Sequence, residues 1–220
     1  MTRDRRNSRG ISTAEVLVGT ALSLFTLGVL CSFFQAQQRA QAAQSTYNQS
    51  QVVTRSVVDL LSRELRMATY DPTGAALPTA PGPSCPGVKQ GIVEATADRL
   101  HFRQDLDGDG ALATAGEDLL YDVSGTQLRR QDGPGAAIAL VDGVATGGLR
   151  LQYFDGSNPS VELVPTGVPA ALTAAQRDCV AKIRMTITAS LPGSDPSNPT
   201  PRMARAESEI AIRNRSLASF

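Results

Sequence analysis

The chain has 220 residues, with 21 Lys and Arg against 21 Asp and Glu, one His and no Trp. That length suits one anchor segment and one modest domain, and the balanced charge removes any broad electrostatic case for nucleic acid or an acidic membrane surface. A lone His101 leaves His-cluster metal sites and His-based triads without their usual material, and no nucleophile–base pair is discernible, so no enzyme is expected.

Residues 1–10, MTRDRRNSRG, set Arg3, Arg5, Arg6 and Arg9 against Asp4 alone. Val16 to Phe34 carries no charged residue. As a helix this run is roughly 28 Å long, close to the hydrocarbon thickness of a bilayer. The arginines favour the cytoplasmic side, so the C-terminal part is expected outside. A cleaved secretory signal, cut near Ala40-Gln41-Ala42, is one ordinary reading, although such signals have shorter apolar regions. A plain signal anchor is another. Two residues ask for something more specific: Gly10 closes the basic leader, and Glu15 puts a carboxylate at the edge of an apolar helix, where an unpaired charge is costly and marks a partner.

Arg9-Gly10, then Ile11-Ser12-Thr13-Ala14-Glu15, then the apolar run resemble the N-terminus of the type IV prepilin family, which carries the N-methylation or class III signal. That family usually has Phe after the glycine, where this chain has Ile11. The resemblance implies cleavage between Gly10 and Ile11 by a membrane prepilin peptidase, which also methylates the new amine. It further implies that Glu15, the fifth mature residue, meets the amine of a neighbouring subunit. A buried pair of opposite charges is tolerable where either alone is not.

Residues 35–69 contain no Gly or Pro and are dominated by good helix formers. Val53, Val57, Leu60, Leu61, Leu65 and Ala68 recur at helical spacing, so the helix is expected to continue and become amphipathic until Tyr70-Asp71-Pro72 stops it. A coiled coil or linker helix is the bland alternative. Leu61 to Ala68 followed by Tyr70-Asp71-Pro72 is similar to the helix end of PilW-like minor pilins and of the related J-type pseudopilins of type II secretion.

A Pro- and Gly-rich loop follows, then strand-like runs at 91–95, 99–103, 119–123, 127–131, 138–141, 149–154, 180–190 and 206–213. Alternation is clearest where Lys182, Arg184, Thr186 and Thr188 oppose Ile183, Met185 and Ile187, and again where Glu207, Glu209, Ala211 and Arg213 oppose Ser208, Ile210 and Ile212. The expected fold is α+β: a long N-terminal helix packed by its rear half on an antiparallel sheet. The expected divisions are a leader 1–10, a transmembrane half 11–36, an amphipathic half 37–70 and a β-rich head 71–220. Val141 to Val144, Leu149 to Phe154 and Ile210 to Asn214 are similar to strands of PilW-like proteins.

Cys31 lies in the apolar run, while Cys85 and Cys179 lie beyond it. Two distant cysteines in an exported domain suit one disulfide, closing about 94 residues and worth on the order of 4 kcal/mol; two free thiols are the alternative. Asp105, Asp107 and Asp109, with Gly110 in sixth place, resemble the start of an EF-hand calcium loop. The twelfth place is Gly116, with Glu117 one position later, so Asp105, Asp107, Asp109 and Glu117 form the candidate ligand set. The alternative is a solvated acidic hairpin loop. Calcium is the one cofactor suggested, and none is required.

Taken with the resemblance, these features imply a minor pilin or pseudopilin of the initiating or tip complex of a type IV pilus or type II secretion pseudopilus. Its partners would be prepilin peptidase, other major and minor pilins or pseudopilins, an inner-membrane assembly platform and membrane lipid. Its place would be the inner membrane as a single-pass protein with a periplasmic head, and then the filament. A membrane-anchored periplasmic binding or adhesion module that never polymerises is the alternative.

Overall fold

Helix α1 (Thr13–Met67) runs 55 residues without interruption, about 80 Å of helix. It begins at Ser12, whose backbone is extended and whose hydroxyl accepts the Ala14 N–H, while the Glu15 carboxylate accepts the Ser12 N–H at 3.0 Å. This reciprocal capping box satisfies donors that a helix start leaves orphaned. The computed structural model describes residues 12–80, 85, 87–191 and 202–214. The leader 1–10 and Ile11, and with them the expected processing bond, lie outside the described residues.

The rear of α1 buries Thr54, Val57, Val58, Leu61, Ser62 and Leu65, a stripe in steps of three and four. Val53 and Leu60, expected on this stripe from their spacing, lie off it: Val53 is 38% exposed and Leu60 half-buried. Helical geometry places Thr54 and Ser62 there instead. Their hydroxyls are satisfied at little cost, Thr54 donating to the Ser50 carbonyl (2.8 Å) and Ser62 to that of Val58 (2.6 Å).

The helix ends through Ala68, and Thr69 follows in the left-handed region at φ 66°. A β-branched residue is strained there. The neighbourhood holds it in place: its N–H donates to the Arg103 carbonyl at 3.0 Å, and Gly91 packs directly against its Cα.

The head has two antiparallel sheets, where alternation alone suggests one. The first comprises β1 (Ile92–Ala95), β2 (Leu100–Arg103), β3 (Asp118–Ser124), β4 (Gln127–Asp132) and β5 (Ile138–Val141), a meander in sequence order. The second combines β6 (Val144–Phe154), β7 (Glu162–Leu163), β8 (Lys182–Leu191) and β9 (Arg202–Ala211) in the order β7-β6-β8-β9. A short helix, α2 (Ala174–Cys179), precedes β8. Helix α1 packs mainly on β9 and β8, and touches β5. Ile183, Met185 and Ile187 are wholly buried and Lys182, Arg184 and Thr186 lie on the outer face, as the alternation predicts.

Polar groups tie the layers together. The Tyr121 hydroxyl donates to Glu64 of α1, and Arg130 bridges Glu64 at 3.0 Å and Asp132 at 3.3 Å. Burial first, and the Glu64 charge second, push the Tyr121 pKa up, so the phenol stays a donor. Tyr153, also buried, donates to the Thr96 carbonyl at 2.6 Å.

A Cβ at Gly91 would lie 2.7 Å from the Thr69 Cα and 2.8 Å from the Arg103 oxygen, both backbone atoms. Gly91→Ala is therefore expected to destabilise the head by about 2–4 kcal/mol, read as a lowered urea midpoint with an unchanged slope. A wild-type midpoint would show that the helix exit is not clamped at this contact.

Candidate functional site

Two places carry the candidate chemistry: the front of α1 and the loop after β2. At the front, Gly10 and Ile11 lie outside the described residues, and Glu15 stands in the first helical turn with its carboxylate on its own Ser12 N–H. From Val16 to Phe34 the large apolar side chains are more than half exposed, and the helix is long and apolar enough to cross a membrane. The hydroxyls inside this stretch are spent on the helix itself: Thr20 on the Leu17 carbonyl, Ser23 on Gly19, Thr26 on Leu22 and Ser32 on Val29, all within 3.0 Å. An apolar solvent therefore meets no unsatisfied hydroxyl there. Cys31 is a free, exposed thiol on the same segment.

Cys85 and Cys179 are joined in a disulfide with their Cα atoms 5.5 Å apart. It fastens the loop before β1 to the end of α2, beside a hydrogen bond from the Gln90 amide to Asp178 at 2.9 Å.

The aspartate loop joins β2 to β3 and has strands, not helices, on both sides. Asp105, Asp107 and Asp109 each present a carboxylate oxygen within 4.8 Å of the others, and Glu117 is not part of that set. The loop is braced from within. Asp105, fully buried, accepts the N–H groups of Gly108 (2.7 Å) and Gly110 (3.2 Å). Glu117, also fully buried, accepts those of Leu106 (3.0 Å) and Thr114 (2.8 Å). Asp107 accepts the Thr114 hydroxyl (2.8 Å), which, with the Asp109 N–H, holds its carboxyl below the ordinary value. Asp107 and Asp109 face solvent. The array thus offers three clustered hard oxygen donors on a pre-shaped loop, the chemistry of a site for Ca²⁺ or a similar cation.

Supporting residues outside the DxDxDG pattern carry no motif of their own. Asp132 accepts the Gly116 N–H at 2.9 Å, tying the loop to β4. The Asp105 N–H donates to the Tyr70 carbonyl at 2.7 Å, and Gly108 lies against Pro72. The segment behind it is held by Asp71, whose buried carboxylate accepts the Gly74 and Leu77 N–H groups (2.8 and 3.0 Å) and bridges Lys89 at 3.1 Å. Asp-Pro-Thr-Gly reads as a turn, but Lys89 is too far along the chain for its partnership to be visible.

No protein-family model matches the chain, and no curated protein does. Among solved structures it is similar to a type IV-like pilin, TTHA1219 from Thermus thermophilus, at 18% identity, covering 74% of this chain and 97% of that one with a TM-score of 0.42.

Burial raises the Asp71 pKa, but the Leu77 and Gly74 N–H groups and the Lys89 ammonium together outweigh it, so the net shift is downward from 3.8. A carboxyl lowered on folding stabilises the fold above its unfolded pKa and loses that contribution as the pH falls through the folded value. Thermal denaturation of Asp71→Asn is expected to give a clear loss of stability at neutral pH that shrinks as acid takes wild type below 3.8. An equal loss at both ends would mean that the charge contributes nothing.

Proposed function

We propose that this chain is a minor pilin or pseudopilin, made as a membrane-inserted precursor and drawn into a type IV pilus or type II secretion pseudopilus, in the complex that initiates the filament or forms its tip. The observation that supports it most is α1 itself. Its rear half finds a partner inside the chain, and its front half exposes an uncharged apolar surface beyond Glu15 that a bilayer or neighbouring helices would cover. The leader's arginines would hold the N-terminus in the cytoplasm and place the head in the periplasm. Prepilin peptidase would cut after Gly10, and the assembly platform and other pilins would take up the mature subunit.

Glu15 is the proposed assembly residue. Among the described residues its carboxylate has one modest partner, the Ser12 N–H. The free amine of a neighbour's mature N-terminus offers a stronger one, because an opposite charge in low dielectric gains more than a neutral donor. Assembly would exchange the first partner for the second.

Co-expression with a prepilin peptidase is expected to remove residues 1–10, seen by intact mass, and Gly10→Ala to block the removal. Glu15→Gln keeps a capping-box side chain but no charge, so it should be cut normally and yet be lost from sheared filaments by about tenfold or more. A mature protein that still begins at Met1 would leave the non-polymerising membrane-anchored binding module as the better reading.

Calcium is the proposed cation of the aspartate loop. Asp105 and Glu117 are fully buried, and among the described residues no Lys or Arg pairs with either. A divalent cation on the three clustered aspartates would supply the missing positive charge. Calorimetric titration of the detergent-solubilised protein should show one site with Kd on the order of 10⁻⁴ M, abolished by Asp107→Ala. Absence of heat at millimolar calcium would mark the loop as a solvated acidic hairpin.

A further inference from the structure

The outer face of the second sheet carries a groove of about 380 Å³ across β6, β8 and β9, away from both places described above. It exists because β6 slips register between Val144 and Leu149. Gly147 sits at φ 67°, and a Cβ at Gly148 would fall 2.4 Å from the Thr188 oxygen. The slip therefore requires small residues, and two positions on that face carry no side chain. Beside the two glycines, Arg150, Gln152, Arg184, Thr186, Thr188, Arg205 and Glu207 line the groove.

The lining carries three arginines and one carboxylate side chain. Arg205 bridges Glu207 at 3.0 Å, and Arg184 bridges Glu209 at 2.8 Å and reaches Glu207 at 3.9 Å. Arg150 is exposed and pairs with no carboxylate among the described residues, although it stands in one cross-strand row with Thr186 and Glu207. The hydroxyls of Thr186 and Thr188 have no hydrogen-bond partner among the described residues either. With Arg205 and Arg184 already bridged to Glu207 and Glu209, the Arg150 guanidinium is the one in the lining that has no carboxylate among the described residues, and it calls for a ligand bearing negative acceptors. A stacked sugar or base is not favoured, because the nearby Phe154 ring is already covered by the Arg184 guanidinium 5.0 Å from its centroid.

Spacing selects the form of the anion. Arg150 and Arg205 stand on strands separated by β8 and two residues apart in register, so their backbones are roughly 12 Å apart, and side chains on one face of a strand recur about every 7 Å. A single small anion does not span such an array. Carboxylates on alternate residues of an extended chain do. We infer that this groove docks an acidic, extended segment of another protein through its side-chain carboxylates, with Arg150 as the principal contact. The inference stands whether or not the chain polymerises, since peptide binding and leader cleavage are read separately.

The test uses the full-length protein in neutral detergent micelles and fluorescent hexaglutamate, with hexaglutamine as the uncharged probe. Polarisation should report hexaglutamate binding that weakens with added salt, and no hexaglutamine binding. Arg150→Glu, an exposed change on a strand face, should weaken it by at least about tenfold, while Arg63→Glu on the exposed side of α1 leaves it unchanged. Circular dichroism melts would verify that both variants fold. No hexaglutamate binding, binding indifferent to Arg150→Glu, or displacement by inorganic phosphate at equal concentration would overturn the inference, the last because it denotes a small-anion site.

Discussion

Leu61 and Leu65 of α1 are wholly buried against the sheets, at roughly 1.5–3 kcal/mol each in apolar transfer, and the geometry of the rest follows from where they sit. A helix can bury only the stripe it turns toward a partner, so fixing Leu61 and Leu65 brings Thr54, Val57, Val58 and Ser62 to the same contact. It also turns Glu64 toward the first sheet, where Arg130 and Tyr121 receive it. The front half of the same helix makes no such contact, and its apolar side chains remain open. One secondary-structure element thus has two surroundings, a packed rear and an uncovered apolar front, and the change falls within its own length.

The polar contacts extend that anchorage to the loops. Glu64 holds Arg130, Arg130 holds Asp132, and Asp132 holds the Gly116 N–H at the far end of the aspartate loop. From the other side, Tyr70 and Pro72, just past the helix, touch the start of that loop. Each link replaces a solvent hydrogen bond with an internal one, so the net gain per link is small. What the set supplies is definition of position.

The long helix, its composition change and the alternating strands β8 and β9 were legible in the sequence because they are periodic over many residues. The division of the strands into two sheets was not, since pairing is decided by contacts between distant residues. α2 escaped notice because its six residues are too few to show a period. Val53 misled because spacing from one apolar residue to the next does not say which polar residues share the face: Thr54 and Ser62 fit it by bonding to their own helix. At the aspartate loop, the DxDxDG spacing has a geometric counterpart in three carboxylates within 4.8 Å of one another. Glu117, the fourth ligand by count along the chain, lies outside that group, its carboxylate accepting the Leu106 and Thr114 N–H groups. The arginine groove left no linear signal at all, because its walls come from three strands and its hollow from a register slip.

Between Val29 and Met67 the helix has neither glycine nor proline. No glycine or proline kink site separates the apolar front from the sheets, so a pull along the axis at the front passes to the head through continuous helix. It is borne as shear across the Val57–Leu65 stripe and the Glu64–Arg130 bridge, many small contacts loaded in parallel. In mechanical terms the seat of α1 on the sheets is where axial load passes from helix to head.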